Sequence, residues 1–127
     1  MKRLSSLLAI SILVVCPGCG GDSHESLAAD SVKAMKELVA TLDTIKDEAS
    51  AKAAKSKLVS LSQQMTKINE RQAKLPAPTE ADVKAMESKY GKEMEELQPK
   101  MVAAMMRIQF DPAIQKELSD IDMKGMK

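Results

Sequence analysis

The chain has 127 residues, enough for one small domain, and its 19 basic residues nearly balance 18 acidic ones. The absence of Trp, with one Tyr and one Phe, argues against a sheet, whereas the abundant Ala, Lys, Glu, Met and Leu favour helices. A net charge near zero provides no electrostatic reason to bind nucleic acid or anionic lipid head groups.

The N-terminus has the pattern of an export signal. Lys2 and Arg3 precede a run of 12 residues, 4–15, that is apolar apart from three serines. This length suits the apolar region of a signal peptide and is too short to span a bilayer as a helix. The residues that follow read Cys-Pro-Gly-Cys-Gly-Gly-Asp, beginning at Cys16.

This segment resembles a bacterial lipoprotein signal, in which a cysteine just after the apolar run is lipidated and becomes the first residue. Cys19 is the predicted site, because Gly18 precedes it and a Gly-rich linker follows. Cys16 is the alternative, although the large Val15 stands before it, and ordinary signal-peptidase cleavage is a third option. Gly20 after the cysteine, in place of Asp, favours the outer membrane if the cell has two membranes.

Four segments follow from this interpretation. We predict a signal peptide over residues 1–18, a flexible tether over 19–29, a helical bundle over 30–122 and a frayed tail over 123–127. Loss of the signal peptide removes two basic residues and leaves a net charge of −1. The Cys16–Cys19 pair also reads as C-x-x-C, but a redox site of that type needs a βαβ context, which is missing, and cleavage would discard Cys16.

Apolar residues at helical spacing predict two helices in the first half of the bundle. The first helix begins at Glu25 or Asp30 and runs to about Lys46. The second, residues 50–75, has a heptad seam with steps of three and four residues, in which Gln72 is the single polar member. The remaining seam positions are Ala51, Ala54, Leu58, Leu61, Met65, Ile68 and Leu75. The phase breaks near 47–50, which predicts a tight turn capped by Asp47 or Ser50, with one bent helix over 30–74 as the alternative.

Prolines mark the other two helices. Pro76 and Pro78 end the second helix, and Thr79 with its acidic successors predicts the N-cap of a third. Its stripe stays in phase across Pro99, which predicts a kink and not an end. The stripe consists of Val83, Met86, Tyr90, Met94, Leu97, Met101, Met105 and Ile108. Asp111-Pro112 begins a short fourth helix. The fold class is therefore all-α, an elongated antiparallel three-helix bundle with a short C-terminal helix, in which the first helix lies against the other two.

The methionines and the single histidine are the candidate metal ligands. Nine methionines follow residue 18, and thioether clusters can bind Cu(I). Six of them lie on the predicted stripes, where Met fills irregular cores; Met106, Met123 and Met126 do not. His24 falls in the predicted tether, and one histidine cannot form a His₂ or His₃ site. The sequence predicts no metal site and no cofactor.

No catalytic constellation is apparent. The carboxylates alternate with lysines at i,i+4 spacing, which is typical of a solvated helix face. The serines of the bundle have no histidine to activate them. Arg71 and Arg107 are the only arginines after residue 18, and each lies near the end of a long helix. We expect structural salt bridges from them, with a ligand carboxylate as the weaker alternative.

Three segments resemble small helical lipoproteins of bacteria, a group of uncharacterised function. They are the Cys-Gly-Gly-Asp start, the Ile-Lys-Asp-Glu-Ala-Ser-Ala-Lys-Ala-Ala segment ending at Ala54, and Met-Met-Arg-Ile ending at Ile108. The resemblance implies a helical domain anchored by lipid and no active site. The expected function is a non-enzymatic, membrane-tethered envelope protein that is structural or binds a protein, with no nucleic-acid or small-molecule ligand. The alternatives are a periplasmic holdase chaperone with an exposed apolar patch and a Met-based copper-binding lipoprotein.

Overall fold

The computed structural model describes residues 21–121, which form four helices and contain no strand. The helices are α1 (His24–Asp43), α2 (Glu48–Ala73), α3 (Glu80–Phe110) and α4 (Pro112–Leu118). The all-α bundle of three long helices and one short C-terminal helix is thus confirmed.

Reciprocal side-chain caps start the three long helices. At the head of α2, the Ser50 backbone N–H donates to the Asp47 carboxylate at 2.8 Å, while the Asp47 N–H donates to the Ser50 hydroxyl at 3.0 Å. Thr79 and Asp82 form the same box before α3. Each box satisfies backbone donors that the first turn of a helix leaves unpaired. Asp47 is therefore the cap of α2, and the break after Asp43 excludes one bent helix through this region.

The predicted tether is too long. Ser23 caps α1 and forms a capping box with Ser26, so the helix begins at His24 and residues 24–29 belong to it. His24 is thus a helical residue, half-buried in the first turn, and not part of a solvated linker. The prediction failed because a Ser-x-x-Ser box is a weaker signal than the usual Ser or Thr followed by Glu.

Helix α1 is central, and the prediction that the first helix lies against the other two is confirmed. Helices α2 and α3 both pack against α1, whereas no Cα atoms of α2 and α3 within the described chain approach to 8 Å. Cross-helix ion pairs give the directions: Arg71 of α2 meets the start of α1, and Lys89 of α3 also meets the start of α1. Helix α2 is therefore antiparallel to α1, and α3 is parallel to it.

Helix α4 fills the gap between α2 and α3 at one end of the bundle. It packs on both of them and inserts Ile114, which has no exposed surface, into the main apolar cluster. That cluster joins the four helices and the turn after α1. Its buried members are Leu38, Leu42, Ile45, Ala51, Ala54, Leu58, Leu61, Ala104, Ile114 and Ile121.

The α3 stripe is only partly buried, contrary to prediction. Val83 and Met105 lie on the predicted stripe but are exposed, while Leu97 is buried. On α2, the seam is covered as far as Ile68, and Gln72 is exposed. Because no Cα atoms of α2 and α3 in the described chain approach to 8 Å, positions such as Val83 and Met105 that a closed bundle would cover stay in contact with solvent. The predicted continuation of α3 through Pro99 is confirmed.

Candidate functional site

A cluster of charges closes the end of the bundle at which α1 begins. The Arg71 guanidinium donates from Nε to Asp22 at 2.9 Å and from Nη1 to Asp30 at 3.0 Å. Asp22 precedes α1 and Asp30 lies within it, so one side chain of α2 holds both the start of α1 and the residue before it. The guanidinium fork suits such a double contact. We call Arg71, Asp22 and Asp30 the tether clamp.

The electrostatics of the clamp follow from these bonds. Hydrogen bonds from Arg71 lower the pKa of Asp22, and those to Asp22 and Asp30 raise the pKa of Arg71. Both partners are substantially exposed to solvent, so this cluster orients the chain more than it stabilises the fold. Asp22 is three residues after Cys19, which lies outside the described residues, as does Cys16.

Arg107 occupies the opposite end of the bundle. Its Nη2 donates to the Leu42 carbonyl at 3.3 Å and lies 3.5 Å from an Asp43 carboxylate oxygen. A cation beside the last carbonyls of α1 suits the negative end of the helix dipole. The two arginines thus tie the two ends of α1 to α2 and to α3.

The final turns of α3 present an apolar face away from the core. At about 100° per residue, Val102, Met106 and Phe110 lie on the side of α3 opposite the buried Leu97 and Ala104. Met106 is 54% exposed, and Phe110, the only phenylalanine, is 81% exposed. Together with Pro99 and Ala103 they make a continuous apolar surface, which we call the α3 outer face. Packing does not explain it, because no described element covers it.

An apolar cavity adjoins this face where α2, α3 and α4 meet. Its volume is about 180 Å³ and its lining is apolar apart from Gln115. The exposed Met105 stands between the cavity and the α3 outer face. The other lining residues are Leu42, Leu58, Ile108, Leu118 and Ile121. Because Arg107 in the same turns of α3 contacts Leu42 and Asp43, the α3 outer face lies near the end of α1, about 20 Å along that helix from Asp30 of the tether clamp.

Two methionines near the end of α3, Met105 and Met106, are exposed. Consecutive helical residues point about 100° apart, so these two side chains leave the helix in different directions. No group of three His, Cys, Asp or Glu side chains among residues 21–121 is arranged to hold a metal. Met123 and Met126 fall outside this range.

No protein-family model, curated protein or solved structure matches the chain. Within residues 21–121, none of the helices has an apolar stretch long enough to cross a bilayer. The features that bear on function are therefore the tether clamp, the α3 outer face and the N-terminal sequence. Val102 and Phe110 lie off the predicted stripe and are exposed, but the sequence analysis did not predict that they form an apolar surface of their own.

Urea unfolding is expected to become easier in acid. Hydrogen bonds of the folded chain lower the pKa of four carboxyls below the ordinary 3.8, those of Asp22, Asp47, Asp82 and Asp120. A lowered folded-state pKa means that the unfolded chain binds protons more readily, so this stability is present above about pH 4 and is lost as the pH falls through the folded-state values. The check is the urea midpoint at about pH 7, 4 and 2.

Asp47→Asn provides the control for this pH dependence. Asn still caps a helix but cannot titrate, so the variant should lose less of its urea midpoint between pH 7 and pH 2 than the parent chain. At the alkaline end, ion pairs raise the pKa of Lys55 and Lys89 above 10.5, so their contribution is retained below that pH and lost above it. Equal urea midpoints of the parent chain at pH 7 and pH 2 would contradict the lowered pKa values of these carboxyls.

Proposed function

We propose that this chain is a non-enzymatic helical lipoprotein of the cell envelope, tethered to the membrane through Cys19 and binding a protein through the α3 outer face. The observation that carries the proposal is the exposure of Met106 and Phe110 on the side of α3 away from the core. Large apolar side chains grouped on the surface of a soluble domain mark interaction sites. Aromatic and Met residues are enriched in the centres of such sites.

The position of this face suits a tethered protein. Only Gly20 and Gly21 separate Cys19 from Asp22, whose side chain is held by Arg71. A lipid on Cys19 would therefore keep the clamp end of the bundle close to the bilayer. The α3 outer face, at the remote end of α1, would stand away from the lipid and remain accessible to a protein in the periplasm.

Lipidation of Cys19 is expected in the mature protein. Mass spectrometry of the N-terminal peptide should show a diacylglyceryl or triacyl modification, and the full chain should sediment with membranes. Cys19→Ser should move it to the soluble fraction, since two or three acyl chains, at about 0.8 kcal/mol per buried methylene, supply nearly all the membrane affinity. Cys16→Ser is the matched control and should leave the membrane fraction unchanged. An unmodified Cys19 would refute the tether.

A holdase chaperone is the second candidate, and the exposed Met105 and Met106 favour it. Flexible thioether side chains on a surface can adapt to many partners. A holdase would suppress the aggregation of unrelated unfolded clients, whereas a protein with one cognate partner would not. Suppression at equimolar protein that is lost in Phe110→Glu would favour the chaperone.

A further inference from the structure

The chain turns back into the bundle just beyond the end of α4. The backbone N–H of Ile121 donates to the Leu118 carbonyl at 3.1 Å and closes a turn there. Ile121 is 7% exposed and belongs to the apolar cluster that joins the four helices. It is also the last residue that the structure describes, so the frayed tail predicted over 123–127 lies outside the described residues. The residues that follow Ile121 therefore start from the core and not from the outer surface.

Ile121 forms part of the wall of the apolar cavity between α2, α3 and α4. The deep part of this wall contains Leu42 and Leu58, each 1% exposed, whereas Met105 is 43% exposed and lies at the opening. The cavity thus opens to solvent beside Met105, and its volume is about 180 Å³. An apolar cavity of about 150 Å³ can hold a benzene molecule. There is therefore room for one apolar side chain the size of leucine or methionine.

The walls of this cavity favour an apolar occupant over water. Gln115 is the one polar residue of the lining, and its amide nitrogen already donates to the Gln109 carbonyl at 2.7 Å. A buried water needs about two to four polar partners, which such walls do not supply. An empty cavity is also unfavourable, because the side chains that line it lose dispersion contacts on one side.

We propose that the segment after Ile121 closes this cavity and that the side chain of Met123 fills it. Only Asp122 stands between Ile121 and Met123, so the Met123 Cα lies within about 7 Å of a residue of the cavity wall. In an extended segment, residues two apart point to the same side. Met123 then follows Ile121 inward, while Asp122 and Lys124 point to solvent and keep their charges in water. An unbranched, flexible thioether suits a gap of irregular shape.

Met126 is the other large apolar side chain of residues 122–127, and it provides the comparison for Met123. Placing Met126 in the cavity would close a longer loop and carry the charge of Lys124 across the apolar rim, so Met123 is the favoured occupant. With Met123 in place, the cavity is a latent site for a small apolar molecule that the chain itself keeps closed. This closure needs neither a lipid on Cys19 nor the α3 outer face, and its tests are independent of the proposed function.

Methyl NMR of the purified full chain tests the contact directly. With isotope-labelled methyl groups on Met, Leu and Ile, the Met123 methyl should show nuclear Overhauser contacts to Leu58 and Ile108, and the Met126 methyl should show none. Met123→Leu and Met126→Leu assign the two methionine signals, since each removes one of them. A Met123 methyl without these contacts would overturn the proposal, and so would contacts from Met126 in its place.

Benzene is a probe of whether the cavity is open. In the parent chain it should leave the Leu58 methyl signals unchanged, because the space is occupied. In Met123→Ala it should shift them in a saturable manner, and the matched control Met126→Ala should behave as the parent chain does. Saturable shifts of equal size in the parent and in Met123→Ala would overturn the closure, as would a Met123→Ala chain whose Leu58 signals do not respond.

Urea unfolding shows whether Met123 contributes to stability through this contact. Met123→Ala should raise the equilibrium constant of unfolding about tenfold, which is below the cost of a fully enclosed site because the cavity is open on one side. Met126→Ala should raise it less than about twofold. Leu118 lines the same cavity, so Met123→Ala combined with Leu118→Ala should cost less than the sum of the two single changes. Strictly additive costs would contradict the contact.

Discussion

Leu58→Asp is expected to unfold the bundle or to leave it with little stability. Leu58 is 1% exposed and belongs to the apolar cluster that joins the four helices. An aspartate there would be buried without a partner, which typically costs about 3–5 kcal/mol. Because the total stability of a small domain is about 5–15 kcal/mol, this loss takes a large share of it. Urea unfolding followed by far-ultraviolet circular dichroism measures the change.

Val59→Asp is the matched control for this substitution. It introduces the same residue one position later in α2, where the side chain is 37% exposed and can keep its charge in water. Its expected cost is within about 1 kcal/mol. Similar losses in the two variants would mean that the seam of α2 does not face the core, and the packing described for α2 would have to be revised.

Ile114→Ala is expected to cost about 3 kcal/mol and to loosen α4. Ile114 is the one fully buried side chain of α4, and large-to-small changes at such sites cost about 2–5 kcal/mol. The cost should be near the middle of this range, since α4 has only seven residues and few other contacts to hold it in place. The measurement is the free energy of unfolding in urea.

The urea series also shows whether α4 detaches. If α4 leaves the bundle, the native state already exposes apolar surface near Leu118, and the slope of the unfolding free energy against urea should fall. Lys116→Ala, on the exposed side of the same helix, should change neither the free energy of unfolding nor its slope against urea appreciably. An unchanged stability in Ile114→Ala would contradict the view that α4 seals this end of the bundle.

Helix boundaries were predictable where a local chemical signal marks them. Asp47, Thr79 and Asp111 are all N-caps in the structure, because each is a short polar side chain that can accept from the backbone N–H groups of the next turn. Pro112 at the first position of α4 and Pro76 just after α2 also marked where these helices begin and end. Ser23 was not recognised as a cap, since its partner Ser26 is not the Glu or Gln that usually completes a capping box.

The candidate site could be predicted only in part. The two arginines were noted from their rarity and their place near helix ends, but their partners, Asp22, Asp30 and Asp43, are far away in the sequence and follow from packing. The α3 outer face was not predicted, because the predicted stripe followed only the most apolar side of the helix. Val102, Met106 and Phe110 form a second, shorter stripe on the opposite side.

The sequence by itself determined the all-α class, the four helices and the turns between them, since these depend on local propensity, periodicity and capping. That α2 and α3 pack closely on α1 but not on each other was decided only by the tertiary structure. Ala34 and Thr41 are buried in α1 because helices cover it on two sides, and Thr41 is accommodated by donating its hydroxyl to the Glu37 carbonyl at 2.7 Å. A heptad seam indicates that a helix packs against another helix, but it does not indicate which helix that is. The seam of α2 faces α1 and α4, and the space it would have shared with α3 remains partly open, because helix pairing depends on shapes and contacts distant in the chain.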